Sequence, residues 1–310
     1  MGDPAIVVAP ESFSSSSFAD SFFFKQAIDL KYVTSQYHTF SPINSLTNAT
    51  QVDFSLPMFA TPSVYDLKNS YLEVGFKIIG EDGELPPVTD LVGPVNNVLH
   101  SMFKNVEAYF NDTRITTSSG HHAYKDYLKT YLSYNKDYKE SVLRPSGWAE
   151  DSLGFRNSLL AVNPGYYKRL AMIANVVHLE SRVNSYKEDG GTFIGRLGLD
   201  VEEAGPIVNG INIRLSYYLN EPEFFLMGGT KNAAAAAGSS IQNLTNKYKY
   251  KIHKFQIHAL VHDLSPSLYD TLEARLRKQS AIMSYKRYSI VPFTIASGLT
   301  EWLSDSILPR

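Results

Sequence analysis

The sequence predicts a mainly β protein, an antiparallel sandwich or barrel whose connections carry a few helices. Two observations lead to this fold class. Hydrophobic and polar residues alternate along many segments, as in strands with one buried face, and only two segments repeat hydrophobic residues at helical spacing. The chain has 310 residues, 44% of them hydrophobic, so it is long enough to bury a sizeable core.

Four segments alternate clearly enough to be predicted as strands. One covers residues 72–78, which precede the turn sequence Gly-Glu-Asp-Gly. Residues 106–110 form a second strand that ends at the turn-forming pair Asn111-Asp112. The other two cover 193–201 and 211–219, and Asn209-Gly210 between them is a hairpin signal. We therefore expect the last two strands to pair with each other.

Two further segments predict helices. Tyrosines and leucines from Tyr124 to Tyr134 recur every three or four residues, with lysines and an aspartate on the other face. The second helix begins after Ser265, a natural N-cap, and Pro266 suits its first position. Its leucines line one stripe, at Leu268, Leu272 and Leu276.

We expect residues 1–27 to form a flexible N-terminal arm and residues 28–310 to form one domain. The arm mixes a serine run with isolated phenylalanines and shows no lasting period. Such phenylalanines are costly in water unless they dock on a neighbouring subunit; a frayed terminus is an equal alternative. Within the domain, five consecutive alanines between glycines and polar residues predict a mobile loop at about 228–246.

The composition argues against several classes of function. The chain has no cysteine, which excludes disulfides, a thiolate nucleophile and cysteine-bound metals. Lysine plus arginine number 29 against 31 acidic residues, so the basic excess of a dedicated nucleic-acid binder is missing. No dinucleotide, P-loop, zinc-protease or serine-hydrolase motif occurs. We expect no enzyme activity, no cofactor, no bound metal, no specific nucleic acid and no membrane span.

The histidines are poorly placed for a metal site. His258 and His262 share one face of a predicted strand but lie about 13 Å apart, too far to bind one ion. His253 points to the opposite face unless a β-bulge intervenes. A bulge is favoured because the hydrophobic positions are even-numbered before His253 and odd-numbered after it. His121 and His122, at a helix start, are expected to be solvated.

The carboxylates and aromatic residues favour a structural protein over a hydrolase. The acidic pairs Glu202-Glu203 and Glu221/Glu223 lie in predicted loops, where nothing fixes the spacing that a glycosidase needs. The 20 tyrosines and 17 phenylalanines are residue types favoured on half-buried strands and in subunit interfaces.

Long segments of the chain match one family in order. They are DLKNSYLEVGFKII from Asp66, LVGPVNNVLHSMFKNVEAYFNDTRI from Leu91, YKDYLKTYLSYNKDYKESVL from Tyr124, GRLGLDV from Gly195, NGINIRLSYYLNEPEFFLMG from Asn209, YKIHKFQIHALVHDLSPSLYDTLEARL from Tyr250 and YKRYSIVPFTIASGLTEWLSDSILPR from Tyr285. These segments resemble the capsid proteins of Polinton (Maverick) elements and adintovirus-like viruses. The segments VGPVNNVLHSMF and LSPS carry most of the resemblance.

The resemblance implies a viral jelly-roll sandwich with helical insertions and a structural role without catalytic residues. It points to the first barrel of a double jelly-roll major capsid protein of the adenovirus hexon lineage. Since no second barrel is expected in these residues, the chain is a truncated or processed major capsid protein, or a one-barrel, penton-type protein. The implied partners are further copies, as a homotrimer or a homopentamer, and other capsid proteins. The implied location is the virion capsid, after synthesis in the host cytoplasm and assembly there or in the nucleus.

Two rival interpretations remain open at this stage. A lectin-like jelly roll needs exposed aromatic platforms, and the chain offers only Trp148 and Trp302 as tryptophans. A domesticated copy with an intracellular binding role is the other rival.

One short segment resembles a processing site. Leu226-Met227-Gly228-Gly229-Thr230 is similar to sites cut by adenovirus-type maturation proteases, which take a large apolar residue two before a Gly-Gly pair. The alternative is an ordinary turn after an apolar strand.

Overall fold

The computed structural model describes residues 32–116, 119–151, 163–177, 182–230, 247–288 and 290. Strands are numbered in chain order, and eight of them form two four-stranded sheets. The first sheet has the order β1 (Tyr32–Phe40), β12 (Tyr248–Leu264), β3 (Ser63–Gly80), β9 (Gly191–Gly195). The second has the order β2 (Gln51–Leu56), β10 (Ile213–Leu219), β5 (Phe103–Phe110), β6 (Thr113–Arg114).

Shorter elements fill the connections between the two sheets. Two strand pairs flank them, β4 (Asp90–Pro94) with β11 (Leu226–Thr230) and β7 (Ala174–Val177) with β8 (Arg182–Tyr186). The helices are α1 (Val98–Ser101), α2 (His122–Ser133), α3 (Lys136–Ser141), α4 (Pro164–Ile173), α5 (Pro222–Phe225) and α6 (Pro266–Leu276), with 3₁₀ turns at Arg144–Ser146 and Asp200–Ala204. No helix in the described ranges is both long and apolar enough to cross a membrane.

The connectivity of the two main sheets is that of a jelly roll. The chain crosses from one sheet to the other between successive main strands, except at the β5–β6 hairpin, and every recorded strand pair is antiparallel. Both residues of that hairpin turn have positive φ, 46° at Asn111 and 64° at Asp112. This is the turn that the Asn-Asp pair predicts, because both residue types tolerate the left-handed conformation. The fold class predicted from the sequence is confirmed.

Aromatic rings from both sheets meet in the centre of the sandwich. Phe255 of the first sheet lies 5.3 Å from Phe54 and 5.8 Å from Phe103, both in the second sheet. Tyr217 joins the cluster 4.9 Å from Phe103, and its hydroxyl donates to the Leu197 carbonyl at 3.1 Å. All four rings are buried. The cluster therefore holds the two sheets face to face, as alternation on each strand predicts.

A bulge in β12 confirms the predicted shift of hydrophobic phase. The pairing of β12 with β3 changes register between Ile252 and Lys254. Ile252 and Phe255 both face the core, while His253 is exposed between them. The His253 ring lies over Gly75, where an added Cβ would come within 2.5 Å of its Nε2 atom. Glycine at position 75 thus leaves room for the bulged residue.

Three expectations about the elements need correction. The strand predicted at 193–201 ends at Gly195, and it pairs with β3 instead of β10. The Asn209-Gly210 turn exists, with φ of 95° at Gly210, but Asn209 binds the chain at Phe59 rather than closing a hairpin. The loop predicted at about 228–246 does not include residues 228–230, which belong to β11.

The two predicted helices are present in the structure, whereas other predicted segments cannot be compared with it. Both predicted helices form, as α2 and α6, and Ser265 occupies the N-cap position of α6 although its side chain makes no capping bond. The arm at 1–27 and residues 231–246 lie outside the described residues.

A buried arginine ties the flanking strands to the helices. Arg169 on α4 has no exposed surface, and its Nε donates to the Pro94 carbonyl at 3.0 Å. Its Nη1 donates to the Ala149 carbonyl and lies 2.9 Å from an Asp151 carboxylate oxygen. Because a buried guanidinium is costly unless it is paired, these three partners fix α4 against β4 and the 149–151 segment.

We predict that Phe255→Ala destabilises the fold by about 3–5 kcal/mol, since it leaves a cavity between the two sheets. Urea unfolding monitored by circular dichroism measures the loss. Val33→Ala, at a site that is 65% exposed, is the control and should change stability by at most about 0.5 kcal/mol. A loss below about 1 kcal/mol for Phe255→Ala would contradict the central role of the cluster.

Candidate functional site

The outer face of the first sheet carries aromatic and ionisable side chains. In the second half of β12, Phe255, Ile257 and Ala259 are buried in the core, so the alternate positions His258 and His262 lie on the opposite face. We call this surface the outer face and define it by Tyr37, Tyr71, Glu73, His258 and His262.

Glu73 is the centre of one polar group on the outer face. Its carboxylate accepts from Lys254 Nζ at 2.7 Å and bonds His258 Nε2 at 2.8 Å. The His258 ring stacks on Tyr71 at 4.5 Å, and Tyr71 meets Tyr37 of β1 edge to face at 5.2 Å. Side chains therefore link these three neighbouring strands across the face, in addition to their backbone pairing.

A second group lies further along the same strands. His262 Nε2 is 3.3 Å from an Asp66 carboxylate oxygen, and its Nδ1 is 2.7 Å from the Ser35 hydroxyl. The His262 ring stacks on Tyr32 at 4.2 Å. Each histidine thus has its own carboxylate, as their predicted separation requires. Among the described residues, no group of three or more His, Asp and Glu side chains is arranged to hold a metal ion.

The two carboxylates are held in their charged form. Burial by itself would raise the pKa of Glu73, but the hydrogen bonds and positive charges of Lys254 and His258 lower it overall. Burial acts in the same way on Asp66, where hydrogen bonds from Asn69 and His262 lower the pKa below its usual value. Folding is therefore favoured by the ionised state of both groups.

The structure contradicts the expectation that His122 is solvated. His122 is 3% exposed and its Nε2 lies 3.5 Å from Nδ1 of His100, which is equally buried. The other nitrogen of His100 is 4.0 Å from the Asp126 carboxylate, which also accepts from Asn97 Nδ2 at 2.8 Å. His121 is only half buried. The helix start therefore sends one histidine inward, because α2 packs on α1 through that face.

Burial of this histidine pair opposes its protonation. Burial lowers the pKa of His100, as do the charges of Arg196 and Lys125, while Asp126 opposes the shift. Burial lowers the pKa of His122 well below its usual value. At the margin of the cluster, burial raises the pKa of Glu202 to about 7, although Arg196 partly offsets it. The pair is therefore neutral at pH 7.

Sequence reasoning missed His100 as a buried group. The residue lies inside the segment VGPVNNVLHSMF, between Leu99 and Met102, which are both fully buried. The position of this histidine within an apolar segment was the sequence signal that could have indicated its burial. Its partners come from α2 and from the 196–202 region, so their proximity is a tertiary property.

The predicted processing site lies in a strand instead of a turn. Leu226, Gly228, Gly229 and Thr230 all belong to β11, which pairs with β4 from Leu226 opposite Pro94 to Thr230 opposite Asp90. Leu226 is 2% exposed. A protease that binds its substrate as an extended chain would have to open this pairing first. Cleavage at this segment stays a prediction.

The acidic pairs and Trp148, which the hydrolase and lectin alternatives would need, lie in four different environments. Glu202 is buried and accepts from the Leu199 amide at 2.6 Å, while Glu203 pairs with Lys129 at 3.1 Å. Glu221 and Glu223 line a groove of about 520 Å³ at one end of the sandwich. Trp148 is 2% exposed and stacks on Tyr127, so it offers no platform to a sugar. Trp302 lies outside the described residues.

Helix α2 carries exposed apolar side chains on its outer side. We call Tyr124, Leu128, Tyr131, Leu132 and the adjacent Phe224 the apolar stripe. All five are large hydrophobic residues on the protein surface. The rings of Tyr124 and Phe224 meet edge to face at 5.5 Å, which joins α2 to α5.

Comparison with known proteins relates this architecture to viral structures. A chain in the cryo-EM structure of the Sputnik virophage aligns with 85% of this chain and 53% of its own length, with a TM-score of 0.52 and 13% identity. The mavirus major capsid protein aligns with 86% of this chain and 53% of its own, with a TM-score of 0.42 and 14% identity. At such identities the virophage likeness shows the fold alone: a viral jelly roll.

Sequence comparison adds one relative. The uncharacterized protein F54H12.2 of Caenorhabditis elegans is 25% identical over 231 residues, which are 71% of this chain and 47% of that protein. No protein-family model matches the chain. The chain thus spans about half the length of the relatives it matches.

We predict that Glu73→Gln lowers stability by about 1 kcal/mol at pH 7, because it removes a charge-assisted pair on a partly exposed face. The pKa of Glu73 is lowered on folding, so its contribution is present above about pH 4.5 and is lost as the pH falls through the folded value. Urea unfolding at several pH values should give a flatter acid limb for the variant. Equal acid limbs would contradict the assignment.

We predict that His122→Leu reduces the loss of stability below about pH 6.5. The pKa of His122 is lowered on folding, so unfolding takes up a proton there, and stability falls as the pH falls by at most about 1.4 kcal/mol per pH unit. Glu202 acts in the opposite direction, since its raised pKa favours folding as the pH falls from 7 towards 4.5.

The comparison must therefore be made between variants that all retain Glu202. His121→Leu is the matched control, because its half-buried ring contacts the Ser119 carbonyl rather than the buried pair. The same pH dependence for wild type and His122→Leu would contradict the proposed cost of protonating the cluster.

Proposed function

We propose that this chain is a structural capsid protein that self-assembles into an icosahedral virus-like shell. The observation that carries the proposal is the jelly-roll strand order, together with the fold likeness to a virophage chain at a TM-score of 0.52. A sandwich of this kind has two broad sheet faces, and its loops cluster at the two ends. Its sides can therefore pack against neighbouring subunits.

The side chains of the described residues support a structural role. The ionisable groups on the outer face and in the buried cluster bond mainly to other side chains of the same chain, as Glu73 does to Lys254 and His258. Large hydrophobic residues remain at the surface on α2 and on β1, where Val33 and Tyr37 are exposed. Strand β1 pairs with β12 on one side only within the described sheet, which leaves an edge available to a neighbour.

The finer assignment rests on the sequence. The segments VGPVNNVLHSMF and LSPS resemble the capsid proteins of Polinton and adintovirus-like elements, and on that basis we propose a major capsid role with a homotrimer as the building block. A penton-type protein at the vertices, built as a homopentamer, is the alternative within the same class. Further proposed partners are other capsid proteins, and the proposed location is the virion capsid.

We predict that the full chain forms trimers, or larger shell fragments built from them, at tens of micromolar. Sedimentation velocity gives the stoichiometry and electron microscopy the shape of the particles. Pentamers would transfer the proposal to the penton-type alternative. A chain that stays monomeric throughout this range would contradict a capsid role, because shell subunits must associate through large interfaces.

A further inference from the structure

The described residues leave the apolar stripe exposed at the surface of the subunit. Tyr124, Leu128 and Leu132 follow one another at four-residue spacing along α2, and they are 55%, 50% and 79% exposed. The opposite face of the same helix buries His122, Asp126 and Thr130. Most globular helices turn their apolar face to the core, so α2 is reversed in this respect.

The stripe has the apolar area of one side of a protein interface. Three rings and two leucines, each roughly half exposed, present on the order of 400–500 Å² of apolar surface. A standard interface buries about 800 Å² on each partner, of which about 56–65% is apolar, or roughly 450–520 Å². The stripe is thus large enough to form the centre of a stable contact between protein subunits.

The charges beside the stripe suit an identical partner. Lys125 is neutralised by Asp200 at 3.1 Å, and Lys129 by Glu203 at 3.1 Å, both within the same chain. Further along, Lys136 and Glu140 lie 3.7 Å apart. Because these lysines are paired within their own chain, two copies of α2 can approach without repulsion between them. The exposed Glu221 and Glu223 lie on either side of Phe224, at one end of the stripe.

We propose that the apolar stripe of one copy packs against the apolar stripe of a second copy of this chain. The proposal rests on the proposed function and specifies a two-fold contact between copies in neighbouring trimers, because one surface packed on its identical copy closes a pair and not a trimer. Tyrosines at Tyr124 and Tyr131 fit this role, since their rings add contact area while their hydroxyls stay hydrated at the rim.

The first test places charge on the stripe. The double variant L128E/L132E should raise the concentration at which species larger than the trimer form at least tenfold in sedimentation velocity. The control is Ile43→Glu, which adds one carboxylate at a loop residue that is 65% exposed and lies outside the stripe, and it matches the single Leu132→Glu in charge. Thermal unfolding by circular dichroism checks that both variants stay folded. If the double variant is less stable, the single Leu132→Glu, at the most exposed position of the stripe, takes its place.

The second test uses the absence of cysteine from the chain. Leu132→Cys introduces a single thiol, so a short bis-maleimide should join copies whose stripes face each other. Ile43→Cys is the control and should give no more linked species than random collision does.

The outcomes separate the two proposals. A wild-type chain that stays monomeric overturns both the stripe contact and the capsid role. Wild-type assembly that L128E/L132E leaves unchanged, or that Ile43→Glu weakens equally, overturns the stripe contact only. Absence of linked Leu132→Cys under conditions where this variant assembles also overturns it.

Discussion

The pairing of β3 with β12 is the constraint on which the rest of the structure depends. These strands have 18 and 17 residues and pair along most of their length. Each lends its other edge to a further strand, β12 to β1 and β3 to β9, so the first sheet is built outward from this pair. Their inward side chains are also the surface on which the second sheet packs. A slip of one residue would exchange core and solvent faces on both strands.

The same pairing sets the chemistry of the outer face. Once Phe255 and Ile257 face inward, His258 must lie outside, where β3 supplies Glu73 and Tyr71 within reach. The polar groups formed in this way satisfy each other and add to the stability of the sheet near neutral pH. Within the described part of the chain, the outer edge of β1 and the apolar stripe of α2 are surfaces open to association with other molecules.

Strands and helices could be predicted where the alternation or helical spacing of hydrophobic residues was strong. Strict alternation in residues 72–78 and 211–219 identified strands, and the change of hydrophobic phase around His253 located the bulge, because strand periodicity is a local property. The prediction failed at 193–201, where alternation continues past the end of β9 at Gly195. Of the alternating hydrophobic residues in this segment, Phe193 lies in β9, whereas Leu197, Leu199 and Val201 follow the strand and are nevertheless buried. A connection that packs against the core can therefore show the same alternation as a strand.

The sequence by itself determined the fold class, the helices α2 and α6, the turn at Asn111-Asp112 and the exclusion of cysteine chemistry, because each of these depends on residue type and short-range spacing. The tertiary structure alone decided which strands pair, why Leu226–Thr230 is a strand held by β4, and which histidines are buried. His100 and His122 are 22 positions apart in the chain and come within 3.5 Å because α1 and α2 pack together. Such proximity depends on how the helices and strands pack together, and this packing is determined by contacts throughout the core rather than by short-range sequence patterns.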